Sequence, residues 1–355
     1  QLPGVSVEVS SRRQYITSSK DNVQSLSNFL GYVSKVNEEE YQELREQGYL
    51  FNDVVGKTGL EQVYESTLRG VYGQKQIEVD SLGKELKVIA QEEVRKGDNI
   101  RLAIDLAMQQ KLESLLKEVF EEEGFRKASA IVQDPNNGEV LAMVSLPSYN
   151  NDDFAGGMDG ERYRRLIEDP DHPLFNRAVS GEYPSGSTIK PVIAAGALQE
   201  RLITAATAYL SSGGIRIDKW FFPVFSAGGH GVVDVKDALA QSVNTFFYII
   251  GGGYQNYDGL GARKMREIGR LFGLDSQTGI DLPNEASGFL PSPEWKEEVK
   301  NEQWYIGDTY HMAIGQGDVL VTPLQVNNYT AALANGGTLY QPRLVTKIID
   351  SETGI

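Results

Sequence analysis

The stretch that most restricts the fold is residues 128–144. Two apolar runs, Ala128 to Val132 and Val140 to Val144, flank Asp134-Pro135-Asn136-Asn137-Gly138. Pro presets one turn torsion, Asp and Asn bond back to their own backbone, and Gly accepts a positive φ, so the segment predicts a β-hairpin. A lone hairpin is marginal in water and needs a helix or further strands packed on it. The preceding residues supply one. Leu106 to Glu123 carries apolar residues at helical spacing and reads as a long amphipathic helix. Ile100 to Ile104 reads as a strand. Downstream, Val192 to Leu198 and Val235 to Ala240 read as helical, Phe246 to Ile250 as a buried apolar run, and Val345 to Asp350 as a strand ahead of a Ser-Glu-Thr-Gly turn. Helical and strand patterns alternate irregularly, which predicts an α+β domain with a sheet covered by helices.

Residues 1 to 97 have a different texture. Val5 to Val9 alternates like a half-buried strand, and Glu38 to Gln47 is a charged helix with a solvated face. Gly56-Lys57-Thr58-Gly59 precedes a helical stretch from Leu60 to Leu68. Ile77 to Ile89 reads as two short strands around Leu82-Gly83. The charged run Glu92 to Asp98 marks a boundary. The expected division is a smaller mixed α/β module over 1–97 and a larger α+β domain over 98–355, and 355 residues suffice for both.

Composition excludes several functions. The net charge of -15 argues against a nucleic-acid partner, which needs clustered Lys and Arg, and against a polybasic membrane patch. With no cysteine, a thiolate nucleophile, a disulfide framework and a Cys-based zinc site are ruled out. No run of about 18 apolar residues is present to span a membrane. The chain starts at Gln1 rather than Met, which suggests a processed or trimmed start.

The densest chemical signal is Tyr183-Pro184-Ser185-Gly186-Ser187-Thr188-Ile189-Lys190-Pro191, followed by an apolar helix rich in small residues. Ser187 falls at the helix start, where free N–H groups and the helix dipole favour negative charge on a serine oxygen. Lys190 lies one turn on and on the same face. Burial disfavours its ammonium form, so it can become the base that activates the hydroxyl. Taken alone, Ser-x-x-Lys also fits a capped helix with a surface lysine. A second copy, Ser81-Leu82-Gly83-Lys84, reads as a turn without chemistry. Ser242-Val243-Asn244 lies between two helical stretches, where a short loop can aim polar side chains into a cleft. Judged singly, it fits a helix cap. A further Ser-x-Asn, Ser148-Tyr149-Asn150, precedes Ser187 in a polar loop and is set aside.

Together Ser187-x-x-Lys190 and Ser242-x-Asn244 resemble the penicillin-binding proteins and serine β-lactamases, whose motifs run S-x-x-K, S-x-N, K-T-G. The resemblance extends nearly end to end. Leu2-Pro3-Gly4-Val5, Gly31-Tyr32-Val33, Gly56 to Glu61, Tyr64-Glu65 and Leu68-Arg69-Gly70 are similar to the N-terminal module of class B penicillin-binding proteins. Gly97-Asp98 to Asp105 with Gln109, Asp134-Pro135 with Gly138 to Met143, and Asn176-Arg177-Ala178 resemble their transpeptidase domain. Trp304, Gly307-Asp308-Thr309, Ala313 to Gly317 and Thr322-Pro323-Leu324-Gln325 are most like the elongation-type members. Two departures stand out. Ser185 replaces the family's usual second proline. No Lys-Ser/Thr-Gly follows Asn244; the only Lys-Thr-Gly, Lys57-Thr58-Gly59, lies ahead of Ser187 and is a decoy. The simplest expectation is that the native protein continues past Ile355, and without the third motif this fragment's activity is in doubt.

The resemblance implies a penicillin-binding-protein transpeptidase fold on an N-terminal pedestal and a serine D-Ala-D-Ala transpeptidase acting on peptidoglycan stem peptides in cell-wall elongation and cell shape, inhibited covalently by β-lactams. It implies Ser187 as nucleophile, Lys190 as its base, Ser242 as proton relay to the leaving group, and Asn244 holding Lys190 and the acyl-side amide. It implies an extracytoplasmic (periplasmic) domain of a cytoplasmic-membrane protein anchored by an N-terminal helix absent from this chain. The implied partners are a SEDS-family glycosyltransferase of the RodA type and elongation scaffold proteins. No cofactor is expected. Some relatives hold zinc through Asp, His and Cys, but Cys is absent and the local stretch reads Tyr209-Leu210-Ser211-Ser212, so no metal is expected. His230 and Trp304 are further substrate-contact candidates. Gly56-Lys57-Thr58 is not a phosphate loop, because Phe51 stands where that pattern needs Gly. Three readings compete with the enzyme. A sensor that acylates without turnover should lack the N-terminal Gly-Leu-Glu box present here. A structural partner with a degenerate site conflicts with the intact Ser and Lys motifs, though the absent third motif keeps it open. A β-lactamase would carry so long an N-terminal module only unusually.

Overall fold

The computed structural model describes residues 13–15, 23–81, 85–155 and 157–355. The expected strand at Val5 to Val9, the Leu2-Pro3-Gly4-Val5 segment and the Leu82-Gly83-Lys84 turn lie outside them.

The N-terminal module pairs its strands locally. β1 (Val33–Lys35) runs antiparallel to β2 (Val54–Gly56), and β3 (Gln74–Val79) to β4 (Glu85–Glu92). Glu38–Leu44 is helical with no buried residue, capped at Asn37 through a reciprocal bond with Glu40. β5 (Asn99–Leu102) then leads into α1 (Leu106–Glu123). Asp105 caps this helix by accepting from the Met108 N–H, and Gly124 ends it in a left-handed conformation. β6 (Ala128–Gln133) and β7 (Val140–Leu146) form the expected hairpin, with Gly138 at positive φ and Asp134 accepting from Asn136.

One helix and two strand pairs follow. α2 (Lys190–Gln199) is apolar from Val192 to Leu198, with Val192, Ile193, Ala194, Gly196 and Ala197 buried. β8 (Ala208–Ser211) pairs with β11 (Gly231–Asp234), and β9 (Gly214–Ile217) with β10 (Trp220–Pro223). Later helices include α3 (Val235–Ala240), α4 (Asn244–Gly252), α5 (Gly261–Leu271), α6 (Ile306–Ala313) and α7 (Pro323–Ala334), with a further helix, Pro293–Lys300, between α5 and α6. β12 (Val345–Ile349) returns to pair antiparallel with β5.

Among the described residues the ladders are all two-stranded. Backbone bonds nonetheless tie β7 to the residues flanking β5 and β12: Asp105 N–H to Leu141 O and Val140 N–H to Arg343 O, while Ala103 N–H to Leu344 O extends the β5–β12 pairing. α1 packs on β7 and α7 on β6. The side of β7 away from β6 is met by side chains. The Gln109 amide donates to Met143 O (2.7 Å) and accepts from Met143 N–H (2.8 Å), and Asn28 donates to Ser145 O (3.0 Å). Gln109 also donates to Ser25 Oγ, and Ser25 donates through both N–H and Oγ to buried Glu113.

Two apolar cores follow. One gathers Val192, Ile193, Phe246, Phe247, Met265 and Tyr310 from α2, α4, α5 and α6. α2 and α5 approach so closely at Gly196 that a Cβ there would stand 2.3 Å from Ile268 Cδ1. The other joins Phe29 and Leu60 of the N-terminal residues to Val140, Ala178, Leu324 and Leu344. The first core carries the site on its surface.

Candidate active site

Ser187 opens α2 from a short 3-10 turn, Gly186–Ile189, and stands exposed at its start. Gly315 positions that lead-in. Its carbonyl accepts from the Gly186 N–H at 2.8 Å, and its φ is +69°. A Cβ at Gly315 would come within 2.2 Å of both Gly186 O and Ser185 Oγ, so no other residue permits this contact without displacing the turn. Tyr183 and Val321 exchange two backbone bonds, and the Tyr329 hydroxyl donates to Thr188 O, so the turn is held from three sides. Pro191 lies in the first turn of α2, where its missing N–H costs least.

Lys190 points inward and is only 1% exposed. Its Nζ donates to Asn244 Oδ1 (2.6 Å), Ser242 O (2.9 Å) and Ser242 Oγ (3.0 Å), and lies 5.2 Å from the centre of the Phe247 ring. Ser242 takes a left-handed φ of +53° between α3 and α4, which turns its hydroxyl and carbonyl to the same cation. Ser242 Oγ in turn donates to Ser187 Oγ at 2.8 Å. The four predicted residues therefore form one hydrogen-bonded chain, Ser187–Ser242–Lys190–Asn244. Among the described residues no direct bond links Lys190 to Ser187; the path runs through Ser242. Burial pushes the Lys190 ammonium down to about 8 from 10.5, because an apolar surround disfavours the charged form.

A groove of about 530 Å³ opens beside Asn244. One wall is β10 with Val224 and Phe225 after it, and α6 contributes His311, followed by Gln316. Trp220, Tyr248, His311 and Gln316 line this groove and were not singled out individually as site residues from sequence. The available signal was the aromatic run Trp220-Phe221-Phe222, placed two residues after the strand ending at Ile217.

Neither of the two weaker candidates lines the groove, although His230 abuts Phe225, which does. Trp304 packs against the first core, and its indole N–H donates to Thr309 Oγ1 at 2.8 Å, within its own segment. His230 stands edge-on to Phe225, 5.3 Å between ring centres, and both its ring nitrogens are buried without a partner among the described residues. Lys57, the decoy lysine, pairs with Glu40 in the N-terminal module. Among the described residues no group of three or more His, Asp or Glu stands where it could hold a metal ion.

Residues 128–354 match the family model described as the penicillin-binding protein transpeptidase domain. The chain belongs to this family. Residues 1–102 match the penicillin-binding protein dimerisation domain. Among curated proteins, the peptidoglycan D,D-transpeptidase MrdA of Salmonella typhimurium is 35% identical over 362 residues, covering 99% of this chain and 54% of the relative. MrdA of Haemophilus influenzae is 33% identical, covering 98% and 52%. The chain thus spans about half the length of the curated relatives it matches. Among solved structures, penicillin-binding protein 2 of Helicobacter pylori in complex with MreC superposes with a TM-score of 0.81 at 32% identity, covering 92% of this chain and 59% of that one. Penicillin-binding protein 2 of Pseudomonas aeruginosa in complex with WCK 5153 gives 0.75 at 29%, covering 94% and 67%. The expected fold, a transpeptidase domain preceded by a smaller mixed module, is that of the family.

Proposed function

We propose that this chain is the acyl-transfer portion of a peptidoglycan D,D-transpeptidase, with Ser187 as nucleophile and Lys190 as the base reached through Ser242. The observation that carries the proposal is the continuous chain of bonds from an exposed serine oxygen to a buried lysine. With Lys190 neutral, the hydroxyl directions reverse. Ser187 O–H donates to Ser242 Oγ, and Ser242 O–H donates to Nζ. As Ser187 Oγ attacks the penultimate D-Ala carbonyl, its proton passes to Ser242 and the Ser242 proton to Lys190. The reverse transfer delivers a proton to the departing D-Ala amine. The backbone N–H of Ser187, at the start of α2, supplies one donor to the developing oxyanion. Asn244 Oδ1 keeps Nζ aimed at Ser242. An acceptor amine then attacks the acyl-enzyme and repeats the relay in the opposite sense. The division into residues 1–97 and 98–355 belongs to the same proposal, as does a setting outside the cytoplasmic membrane, where the stem peptides lie. No helix among the described residues is long and apolar enough to cross a membrane. The MreC complex of the Helicobacter pylori protein supports a scaffold protein as partner, and an elongation role with a RodA-type polymerase is part of the same proposal.

Fluorescent penicillin tests the nucleophile. The full-length protein that contains this chain should label covalently, with the adduct on the peptide that carries Ser187, and its Ser187→Ala variant should not label. Equal labelling of the two would sink the assignment.

A further inference from the structure

Lys190 Nζ has three polar partners and one apolar neighbour. Asn244 Oδ1, Ser242 O and Ser242 Oγ take the three N–H of the ammonium. As the neutral amine, the nitrogen keeps two N–H and gains a lone pair. Asn244 Oδ1 and Ser242 O can only accept, so they hold the two N–H. The lone pair is left to Ser242 Oγ, the one partner of the three with a proton to give. This alignment survives only while no fourth polar group reaches the nitrogen. A water there would donate to the lone pair in place of Ser242, or hydrate the ammonium and keep the proton on it.

Phe247 stands on the remaining side. Nζ lies over its ring, 5.2 Å from the centre, and Phe247 is fully buried. Asn244 and Phe247 are three residues apart on α4, so the turn that brings the amide oxygen to Nζ also brings the ring. Phe246, with its ring centre 5.7 Å from that of Phe247, belongs to the same core. The other helices packed on α2 bury only apolar residues, among them Val235 and Ala238 of α3 and Met265 and Ile268 of α5. The titratable side chain that α4 buries is Tyr248; its hydroxyl donates to Pro223 O, and burial raises it above 10, so it stays neutral through pH 9. Among the described residues burial alone depresses Lys190, with no charged group contributing. A ring face attracts a cation and favours the ammonium, whereas exclusion of water disfavours it. With the ammonium at about 8, exclusion prevails.

We propose that Phe247 is a positioning residue for acyl transfer: its ring plugs the open side of Lys190, so that Ser242 is the only group placed to give the lysine a proton. The proposal rests on the transpeptidase reading, which makes Lys190 the base. Phe247 reaches neither substrate nor the reacting oxygen of Ser187 and acts wholly through Lys190. Its contribution is therefore to the pH at which the relay runs, not to the relay itself.

The pH profile of acylation provides the test, read with fluorescent penicillin on the full-length protein that contains this chain. Phe247→Ser removes the ring and lines the gap with a hydroxyl, so a water beside Nζ has two polar partners. Its midpoint should rise by about one pH unit or more. The rate at pH 7 then falls about tenfold, while the rate at pH 9.5 returns to within about threefold of the parent. Phe247→Leu keeps an apolar plug, and its midpoint should stay within about half a unit of the parent's. Phe247→Ala opens the gap without burying a hydroxyl and takes the place of the serine variant if that fails to fold; its midpoint should also rise. A rate lowered equally at every pH, with the midpoint unmoved, is the mark of a merely structural role and overturns the proposal. An equal rise in Phe247→Leu overturns it too. A second arm needs no covalent step. In Ser187→Ala, the Lys190 Cε resonance, identified by its loss in Lys190→Arg, is titrated by NMR with and without Phe247→Ser or Phe247→Ala. A raised midpoint there without acylation of the parent keeps the plug and sinks the transpeptidase reading. Acylation with an unmoved midpoint sinks the plug alone, and failure of both sinks both.

Discussion

The depressed Lys190 sets a pH profile that can be worked out in advance. With its ammonium at about 8, about one molecule in ten carries the neutral amine at pH 7, half do at pH 8 and about nine in ten at pH 9. A lysine left at 10.5 would be neutral in only about three molecules in ten thousand at pH 7. If the neutral amine is the base, the second-order rate of acylation by fluorescent penicillin follows that fraction. It should rise about tenfold from pH 6 to 7 and about fivefold from 7 to 8, then by less than twofold to pH 9. The assay is a time course of adduct formation at fixed low penicillin, over pH 6 to 9.5. Lys190→Arg supplies the control. Its guanidinium does not release a proton in this range, so labelling should be lost throughout rather than shifted. A rate that climbs tenfold per pH unit through pH 9 would show that burial does not depress Lys190. A rate independent of pH would remove it from the proton path. Either result refutes the reasoning.

Two substitutions probe the scaffold. Gly315→Ala places a Cβ within 2.2 Å of the Gly186 carbonyl at a φ of +69°; the lead-in turn must shift, at a cost of about 2 kcal/mol or more, and labelling of Ser187 should fall by about a hundredfold with the chain still folded by circular dichroism. Gln109→Leu keeps the side-chain volume but strips partners from the buried Met143 N–H and carbonyl. Urea unfolding should show a loss of about 2–5 kcal/mol, and a loss under about 1 kcal/mol would mean those groups find other partners.

The parts legible in the sequence were those written in local chemistry. Leu106 to Glu123 is helical over the predicted span because its stop signals are adjacent: Asp105 caps one end and Gly124 the other. The 128–144 hairpin follows from its Asp-Pro-Asn-Asn-Gly turn. Ser187 and Lys190 were legible through spacing, since one helical turn brings them to the same face. The place of Ser242 between Ser187 and Lys190 was not, because the spacing points to a direct serine–lysine contact and the Ser242 backbone is left-handed at a non-glycine residue. Amphipathic periodicity also misleads along α1. It buries polar Gln109 and Glu113, while Met108, Leu115 and Val119 stay partly exposed. The reason is tertiary: those two polar groups satisfy a strand and Ser25, which no period within the helix reports. The aromatic groove wall was illegible because Trp220, Tyr248 and His311 converge from three separate elements.

The side chains that meet β7 have a consequence for dissecting the chain. Leu141, Met143 and Ser145 alternate along one margin of that strand, and each has its outward group satisfied: by the Asp105 N–H, the Gln109 amide and Asn28, respectively. Asn28 lies before the proposed 97/98 division, and so do Phe29 and Leu60, which cover the neighbouring apolar surface. A piece cut to begin at residue 98 would lose the Asn28 bond and that cover, leaving part of a strand edge open beside bare hydrophobic side chains. Such an edge recruits strands from other molecules. The isolated 98–355 piece is therefore expected to aggregate where the full chain stays monodisperse.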